Sequence, residues 1–202
     1  MKVALIGATG QAGSRLLAEL TRRGHSVTAI ARNPEKAPQG PLVTPKHGDV
    51  REPDALSAAL RGHDAVISSV RFVDADPAAL VGAVRAAGVK RYLVVGGAAS
   101  LEVAPGVPLI STPQFPAAYK AEASRGVAFL EYLRGVADLD WTFLSPSALF
   151  VAGERTGKFR LGKDQLLANQ DGSRISFEDY AIAMVDELEQ PAHIRERFTV
   201  GY

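Results

Sequence analysis

Cysteine is absent from the sequence, and several other features that define large protein classes are missing as well. Without cysteine there is no disulfide framework, no thiolate nucleophile and no metal site with cysteine ligands. Lys and Arg number 23 against 22 Asp and Glu, so no broad basic surface predicts a nucleic-acid partner. No apolar run approaches the roughly eighteen residues of a membrane span, so we expect no membrane partner. The composition therefore indicates a soluble globular protein.

Metal-ligand spacing and a secretion signal are missing too. The four histidines are scattered among predicted loops, so we predict no metal site. The first residues, MKVALIGATG, have the basic start of a signal peptide, but Gly7 and Gly10 interrupt a short apolar run. We therefore expect a cytoplasmic location.

The sequence does contain a regular alternation of short apolar runs and helical segments. The run KVALI at residues 2–6 is apolar for most of its length, as expected of a strand buried on both faces. Such alternation predicts an α/β fold, a doubly wound parallel sheet with helices on both faces. The predicted strands are 2–6, 26–31, a strand within 42–49, 64–70, 91–96 and 140–145. The predicted helices are 11–23, 53–60, 77–87 and 117–134.

The pattern changes after residue 150. Turn and short-strand signals there are followed by a predicted helix at 177–189 and a final strand at 198–201. No repeat or linker interrupts the 202 residues, so we predict a single domain over 1–202. Residues 151–202 are expected to form a small C-terminal lobe on that domain.

The segment GATGQAG, residues 7–13, connects the first predicted strand to the first predicted helix. Gly7 permits a tight turn, Gly10 lets the backbone approach a pyrophosphate, and Gly13 lets the helix pack closely on the strand. The start of the helix offers free N–H groups and the positive end of its dipole. The competing interpretation is a purely structural glycine turn. In this context we favour the dinucleotide-binding loop of a Rossmann-like fold, with contacts from Gly7, Thr9, Gly10, Gln11, Ala12 and Gly13.

The end of the second strand selects the dinucleotide. Sites that prefer NAD place a carboxylate there, which would repel the 2′-phosphate of NADP. This chain has Arg32 at that point, followed by Asn33, and no acidic residue competes. A guanidinium can hold a phosphate through two hydrogen bonds. We therefore predict that NADP(H) is preferred and NAD(H) is possible, against the alternative that Arg32 is an ordinary surface arginine.

Ligands of open α/β sheets bind at the carboxyl ends of the strands, so further contacts are expected at the other strand ends. Asp49 and Val50 follow the third strand, where the adenine would lie. Ser68 and Ser69 end the fourth strand, near the ribose and pyrophosphate, although an ordinary strand end explains each of them equally well. Residues expected near the nicotinamide are Gly96, Gly97, Ser145, Pro146 and Ser147. On this interpretation residues 1–150 form the cofactor-binding core, and the C-terminal lobe lies on the substrate side.

Later motifs carry a family resemblance over essentially the whole chain. The segments concerned are VVGGAASLEVAPG, DLDWTFLSPSALF, GERTGKFRLG and RISFEDYAIAMVDELE. With the glycine loop, they resemble the NmrA-like atypical short-chain dehydrogenases, and within them the bacterial NADH-flavin reductases related to biliverdin reductase B. The resemblance implies NAD(P)H as hydride donor and flavins or similar conjugated acceptors as substrates. Biliverdin reductase B has a Thr-Ser pair close to where this chain has Gly97 and Ala98, which argues against biliverdin itself.

One catalytic signature of the wider dehydrogenase group is absent. Its tyrosine is followed four positions later by a lysine, whereas Tyr119 is followed directly by Lys120 and the fourth position holds Ala123. Neighbouring residues point about 100° apart on a helix, so Tyr119 and Lys120 cannot act as that pair. Reduction of a ketone needs a placed proton donor. A flavin or quinone spreads the charge over its rings and can take its proton from solvent.

We therefore predict an NADPH-dependent reductase of a flavin, quinone or similar conjugated acceptor. No catalytic residue is assigned, and the substrate-side candidates are Phe115, Tyr119 and Lys120. The equally weighted alternative has Tyr119 packed in the core and Lys120 in solvent. The basic segment 154–163 is interpreted as a solvated hairpin rather than an attractor of acidic substrates. The rival function is a non-catalytic, NADP(H)-binding redox sensor, and the sequence does not define the oligomeric state.

Overall fold

The computed structural model describes all 202 residues and contains an eight-stranded central sheet. The strands are β1 Lys2–Ile6, β2 Ser26–Ala31, β3 Val43–His47, β4 Ala65–Ser68, β5 Arg91–Val95, β6 Glu102–Ala104, β7 Val107–Pro108, β8 Asp140–Pro146, β9 Leu149–Val151, β10 Arg160–Gly162, β11 Arg174–Ser176 and β12 Glu196–Gly201. The helices are α1 Gln11–Arg22, α2 Pro53–Leu60, α3 Pro77–Ala86, α4 Lys120–Arg134 and α5 Phe177–Glu189. None of the helices is both long and apolar enough to cross a bilayer.

The sheet has the order β10-β12-β8-β5-β4-β1-β2-β3. Strand β10 pairs antiparallel with β12, and all other neighbours in the sheet are parallel. The chain reverses direction across the sheet between β1 and β4, which is where ligands bind in doubly wound folds. The predicted Rossmann-like α/β fold is confirmed.

Two apolar layers cover the sheet, one on each face. Helices α1 and α5 pack on one face, where Leu16, Leu20 and Met184 are fully buried. Helices α2, α3 and α4 cover the other face through residues such as Leu60 and Phe129. Because both faces of the central strands are buried, these strands read as continuous apolar runs in the sequence.

Most of the segment expected as a C-terminal lobe is built onto the central sheet. Strand β12 pairs with β8, β10 pairs with β12, and α5 packs against α1. Only β11 pairs outside the central sheet, with β9. The helix at 177–189 has the predicted bounds, and its N-cap Ser176 accepts a hydrogen bond from the backbone N–H of Asp179 at 3.0 Å.

The third strand contains Pro45 and lies at the edge of the sheet, where a residue that cannot donate a ladder hydrogen bond is tolerated. Helix α4 was predicted from residue 117 but begins at Lys120, since Ala117–Tyr119 form a separate 3₁₀ turn. The short hairpin of β6 and β7 was not predicted, because strands of two or three residues have no detectable periodicity.

Candidate functional site

Strand register brings the predicted cofactor residues to one edge of the sheet. Ile6 at the end of β1 is level with Ile30 of β2 and with Ser68 of β4. The loops that follow these strands therefore leave the sheet side by side. Together they form a groove of about 300 Å³, hereafter the glycine-loop groove. The predicted residues that line it are Gly7, Thr9, Gly10, Arg32, Asp49, Val50 and Ser69.

The three loop glycines differ in the space that surrounds them. Gly7 has φ +80°, and a methyl group there would lie 2.1 Å from the carbonyl oxygen of Ser69. A methyl group at Gly13 would lie 2.1 Å from the carbonyl oxygen of Gly7, so both positions are closed by the backbone. At Gly10 the nearest atom would be 3.3 Å away, and this residue lines the groove. The turn needs Gly7 and Gly13, whereas Gly10 presents its backbone to the groove without a side chain.

Helix α1 begins directly behind Gly10. No side chain caps its N-terminus, and its first turn has no acidic residue. The first N–H groups and the positive end of the dipole are therefore available to an anion at the groove. Gln11 is exposed and Ala12 is half-buried, but neither side chain lines the groove. Gln11 and Ala12 are therefore expected to contact the cofactor only through their backbone N–H groups at the start of α1.

The charged side chains of the groove favour an anion. Arg32 is exposed and makes no ion pair or hydrogen bond, and Arg71 also lines the groove. Asp49, in contrast, is held by Arg51, whose backbone N–H and guanidinium Nε donate to its carboxylate at 2.9 and 3.0 Å. Hydrogen bonds from the Arg51 side chain lower the pKa of Asp49 to about 2. Asn33 is exposed outside the groove, where it precedes a 3₁₀ turn.

The two serines at the end of β4 lie in different environments. Ser69 lines the groove, and its backbone N–H donates to Ile6 at 2.8 Å. The side chain of Ser68 is buried, and its hydroxyl is hydrogen-bonded to the Tyr92 hydroxyl at 2.9 Å. Burial raises the pKa of Tyr92, so its phenol remains neutral. The Ser68 hydroxyl is engaged inside the protein, as the ordinary strand-end alternative required.

A second, larger cavity of about 680 Å³ lies at the same edge of the sheet, beyond β5 and β8. We call it the apolar cavity because half of its 22 lining residues are hydrophobic. The predicted residues that line it are Gly96, Gly97, Phe115, Tyr119, Pro146 and Ser147. A pocket of this size is within the range of small-molecule sites.

Two residues expected near this cavity do not line it. The hydroxyl of Ser145 is fully buried and has no hydrogen-bond partner. Lys120 is exposed at the start of α4, outside the cavity wall. Tyr119 has 67% of its surface exposed, so the alternative in which it packs in the core does not hold. Of the Tyr119 and Lys120 pair, only the tyrosine faces the cavity.

Glu122 is the functional candidate that sequence reasoning missed. This residue of α4 lines the apolar cavity, and its carboxylate accepts the backbone N–H groups of Phe72 and Val73 at 2.7 and 3.0 Å. Phe72 lines the apolar cavity, whereas Arg71 and Asp74 line the glycine-loop groove. Glu122 therefore holds the strap, residues 71–74, that joins the two sites. No motif signals it, because its partners lie about fifty residues away in sequence.

Both arginines of the basic segment after β9 make structural contacts. Arg155 pairs with the buried carboxylate of Glu19 at 2.9 Å. Arg160 donates to the backbone oxygens of Ala168 and Tyr202. None of the four basic residues of the segment lines the apolar cavity; these are Arg155, Lys158, Arg160 and Lys163.

The fold and the glycine loop place the chain in the class of NAD(P)-binding proteins of oxidoreductase type. A family model described as NAD(P)H-binding matches residues 7–191. The chain belongs to this NAD(P)H-binding family, and the resemblance to atypical short-chain dehydrogenases is confirmed.

Individual relatives match over the full length. The uncharacterised protein YwnB of Bacillus subtilis is 43% identical over 211 residues, which cover 99% of this chain and 98% of YwnB. A solved structure from Bacteroides thetaiotaomicron, provisionally described as an epimerase, is 42% identical, with TM-score 0.95 and coverage of 100% and 96% of the two chains. A structure from Streptococcus pneumoniae, provisionally described as an NADH-flavin reductase, is 37% identical, with TM-score 0.85 and coverage of 100% and 99%.

Proposed function

We propose that the protein is an NADPH-dependent reductase of flavins, quinones or similar conjugated acceptors. The observation that carries the proposal is the apolar cavity at the carboxyl ends of β5 and β8, beside the glycine-loop groove. In doubly wound folds a substrate meets the cofactor at this edge. The flavin-reductase description of the Streptococcus pneumoniae relative supports the same acceptor class.

The residues of the groove fit a dinucleotide. The backbone of Gly10, which has no side chain toward the groove, and the uncapped start of α1 would take the pyrophosphate, as the same elements do in dinucleotide-binding loops. Val50 and Asp49 would border the adenine, and Ser69 the ribose. When bound, the cofactor supplies a hydride. The chain's own task is to orient the two partners and to exclude water between them.

The walls of the apolar cavity suit an acceptor that needs no placed acid. No His or Lys lines the cavity, and Tyr119, its one phenol, is largely exposed. A conjugated ring spreads the incoming charge, and solvent at the mouth can supply the proton. We assign Phe115 and Tyr119 to covering the acceptor, and no residue to proton transfer.

We propose NADPH rather than NADH as the preferred donor. Arg32 is the free cation at the end of β2, and the nearby Asp49 is neutralised by Arg51. An unpaired guanidinium at this point would bind the 2′-phosphate, which NADH does not have. NADH remains usable, because the other contacts are common to both cofactors.

The proposal is tested by measuring NADPH binding and NADPH oxidation on the same preparation. We expect NADPH to bind and to be oxidised when riboflavin, FMN or a simple quinone is added. Stoichiometric binding with no oxidation by any of these acceptors would contradict the proposal. That result would favour the rival function, a redox sensor, which would then have to bind NADP⁺ and NADPH with different affinities.

A further inference from the structure

The apolar cavity contains no positive charge. Its lining includes no Lys, Arg or His, and Glu122 is its one acidic residue. Resting on the function proposed above, we infer that the acceptor is an uncharged conjugated molecule, and that the site gives no binding to phosphate or carboxylate groups. This selects neutral flavins and quinones over their phosphorylated or carboxylated analogues.

The basic residues next to the lining residues lie outside the cavity wall. Arg197 lies behind Ser100, but its side chain is 5% exposed and pairs with Asp164. Arg174 follows the lining residue Ser173, and its guanidinium lies over the ring of Tyr202, 5.6 Å from the centroid. Lys120 points into solvent outside the wall. None of these cations is placed to neutralise an anionic group inside the cavity.

Glu122 adds a fixed negative charge to the wall. Two backbone N–H groups hold its carboxylate, so it cannot swing out of the cavity without losing both hydrogen bonds. An anion inside would lose hydration against apolar walls and meet this like charge. Such an arrangement would disfavour anionic acceptors through repulsion and favour neutral ones through apolar contacts. The apolar surface of Phe72, Phe115, Val127 and Phe150 remains available to a neutral ring.

Riboflavin and FMN provide the matched probes, because they have the same ring and side chain and differ only in the phosphate. Their dissociation constants can be measured by quenching of flavin fluorescence at low salt, with saturating NADP⁺, which has no hydride to donate. We expect riboflavin to bind at least as tightly as FMN. Tighter binding of FMN, or no binding of riboflavin, would overturn the inference.

This test separates the inference from the proposed function. Riboflavin that binds in the expected order but is not reduced by NADPH would contradict the reductase function and leave the charge selectivity intact. Reduction of both flavins with tighter binding of FMN would support the reductase function and contradict the charge selectivity.

One added positive charge tests whether the lack of cations in the cavity causes the preference for riboflavin over FMN. Gln114→Lys places a cation at an exposed position of the lining. We expect the FMN to riboflavin affinity ratio to rise at least threefold, an effect that weakens as salt is added. Gln190→Lys, at the exposed end of α5 away from the cavity, is the matched control and should leave the ratio unchanged. An unchanged ratio in Gln114→Lys would overturn the inference.

Discussion

Gly7 lets the loop after β1 pass directly beside the end of β4, and Gly13 lets α1 begin against the same loop. The spacing of Gly7, Gly10 and Gly13 predicted their roles because the strand–turn–helix context fixes the backbone. The structure agrees at Gly7 and Gly13, where any side chain would collide with backbone oxygens. Ser68 could not be assigned from sequence, because its partner Tyr92 is a hydroxyl on the neighbouring strand. Strand ends identify an edge of the sheet but not the direction of each side chain.

Arg32→Asp tests the cofactor preference. Loss of a charged hydrogen bond and gain of a repelling carboxylate should weaken NADPH binding by about 1.5–3 kcal/mol, or roughly 10- to 150-fold. NADH binding should change little, because it has no 2′-phosphate. Both affinities can be measured by nucleotide fluorescence titration. Arg61→Asp, at an exposed position outside the groove, is the control. The assignment of Arg32 is wrong if the NADPH to NADH affinity ratio does not fall.

Helix α4 holds the strap that joins the two sites. Glu122 near its start holds the strap 71–74, and one turn later Gly126 lies against the ring of Phe72. A methyl group at Gly126 would come within 2.9 Å of that ring, so glycine lets the helix and the strap approach closely. The helix itself was predictable from its pattern, but its contacts with the strap were not. They join residues about fifty positions apart, and no local periodicity records them.

Glu122→Ala should loosen the strap. Two backbone N–H groups lose a charged acceptor, which we expect to lower the free energy of unfolding by about 1–3 kcal/mol. Both NADPH and riboflavin should bind more weakly, because the strap lines both sites. Glu122→Gln keeps one acceptor oxygen, so its stability and its ligand affinities should lie between those of the wild type and Glu122→Ala. Urea unfolding and ligand titration measure these effects.

Glu131→Ala provides the control for this series. It lies on the same helix, where its exposed side chain pairs only with Arg134, three residues later. If Glu122→Ala were as stable and bound both ligands as tightly as Glu131→Ala, the strap would not depend on Glu122.

At the level of the whole molecule, a network of charges joins the first and last helices. The buried carboxylate of Glu19 accepts hydrogen bonds from Arg22, Arg23 and Arg155, and Arg23 also pairs with Asp186. Burial would raise the pKa of Glu19, but the hydrogen bonds from the three arginines hold it well below its ordinary value. The network fixes α1 against α5 and against the segment that follows β9.

This network makes stability fall in acid. A carboxyl group with a lowered folded-state pKa stabilises the fold above its unfolded pKa, near 4.3, and loses that contribution as the pH falls further. Glu19→Gln should lower the free energy of unfolding by about 1–2 kcal/mol at pH 7 and flatten its decline below about pH 5. Urea titrations across this range measure both. Glu131→Gln, in an exposed pair, should preserve the wild-type slope. An unchanged slope in Glu19→Gln would contradict the role of Glu19.

The overall architecture was largely predictable because long apolar runs and strand–helix alternation leave few topologies. The short strands β9, β10 and β11 could not be predicted. Strand β10 runs antiparallel to β12 and has three residues, and the β9 and β11 pair is equally short. Their positions depend on contacts of the folded chain, which no short window of sequence contains. The same limit applies to the apolar cavity, whose walls come from five separate stretches of the chain.

The most direct test of the reductase function is a single turnover without oxygen. Protein saturated with NADPH is mixed with riboflavin, and the absorbance of oxidised flavin is followed together with that of NADPH. We predict that both decay at the same rate, and that NADPH deuterated at the transferred position slows them severalfold. Flavin that stays oxidised in the presence of protein-bound NADPH would contradict the proposed function.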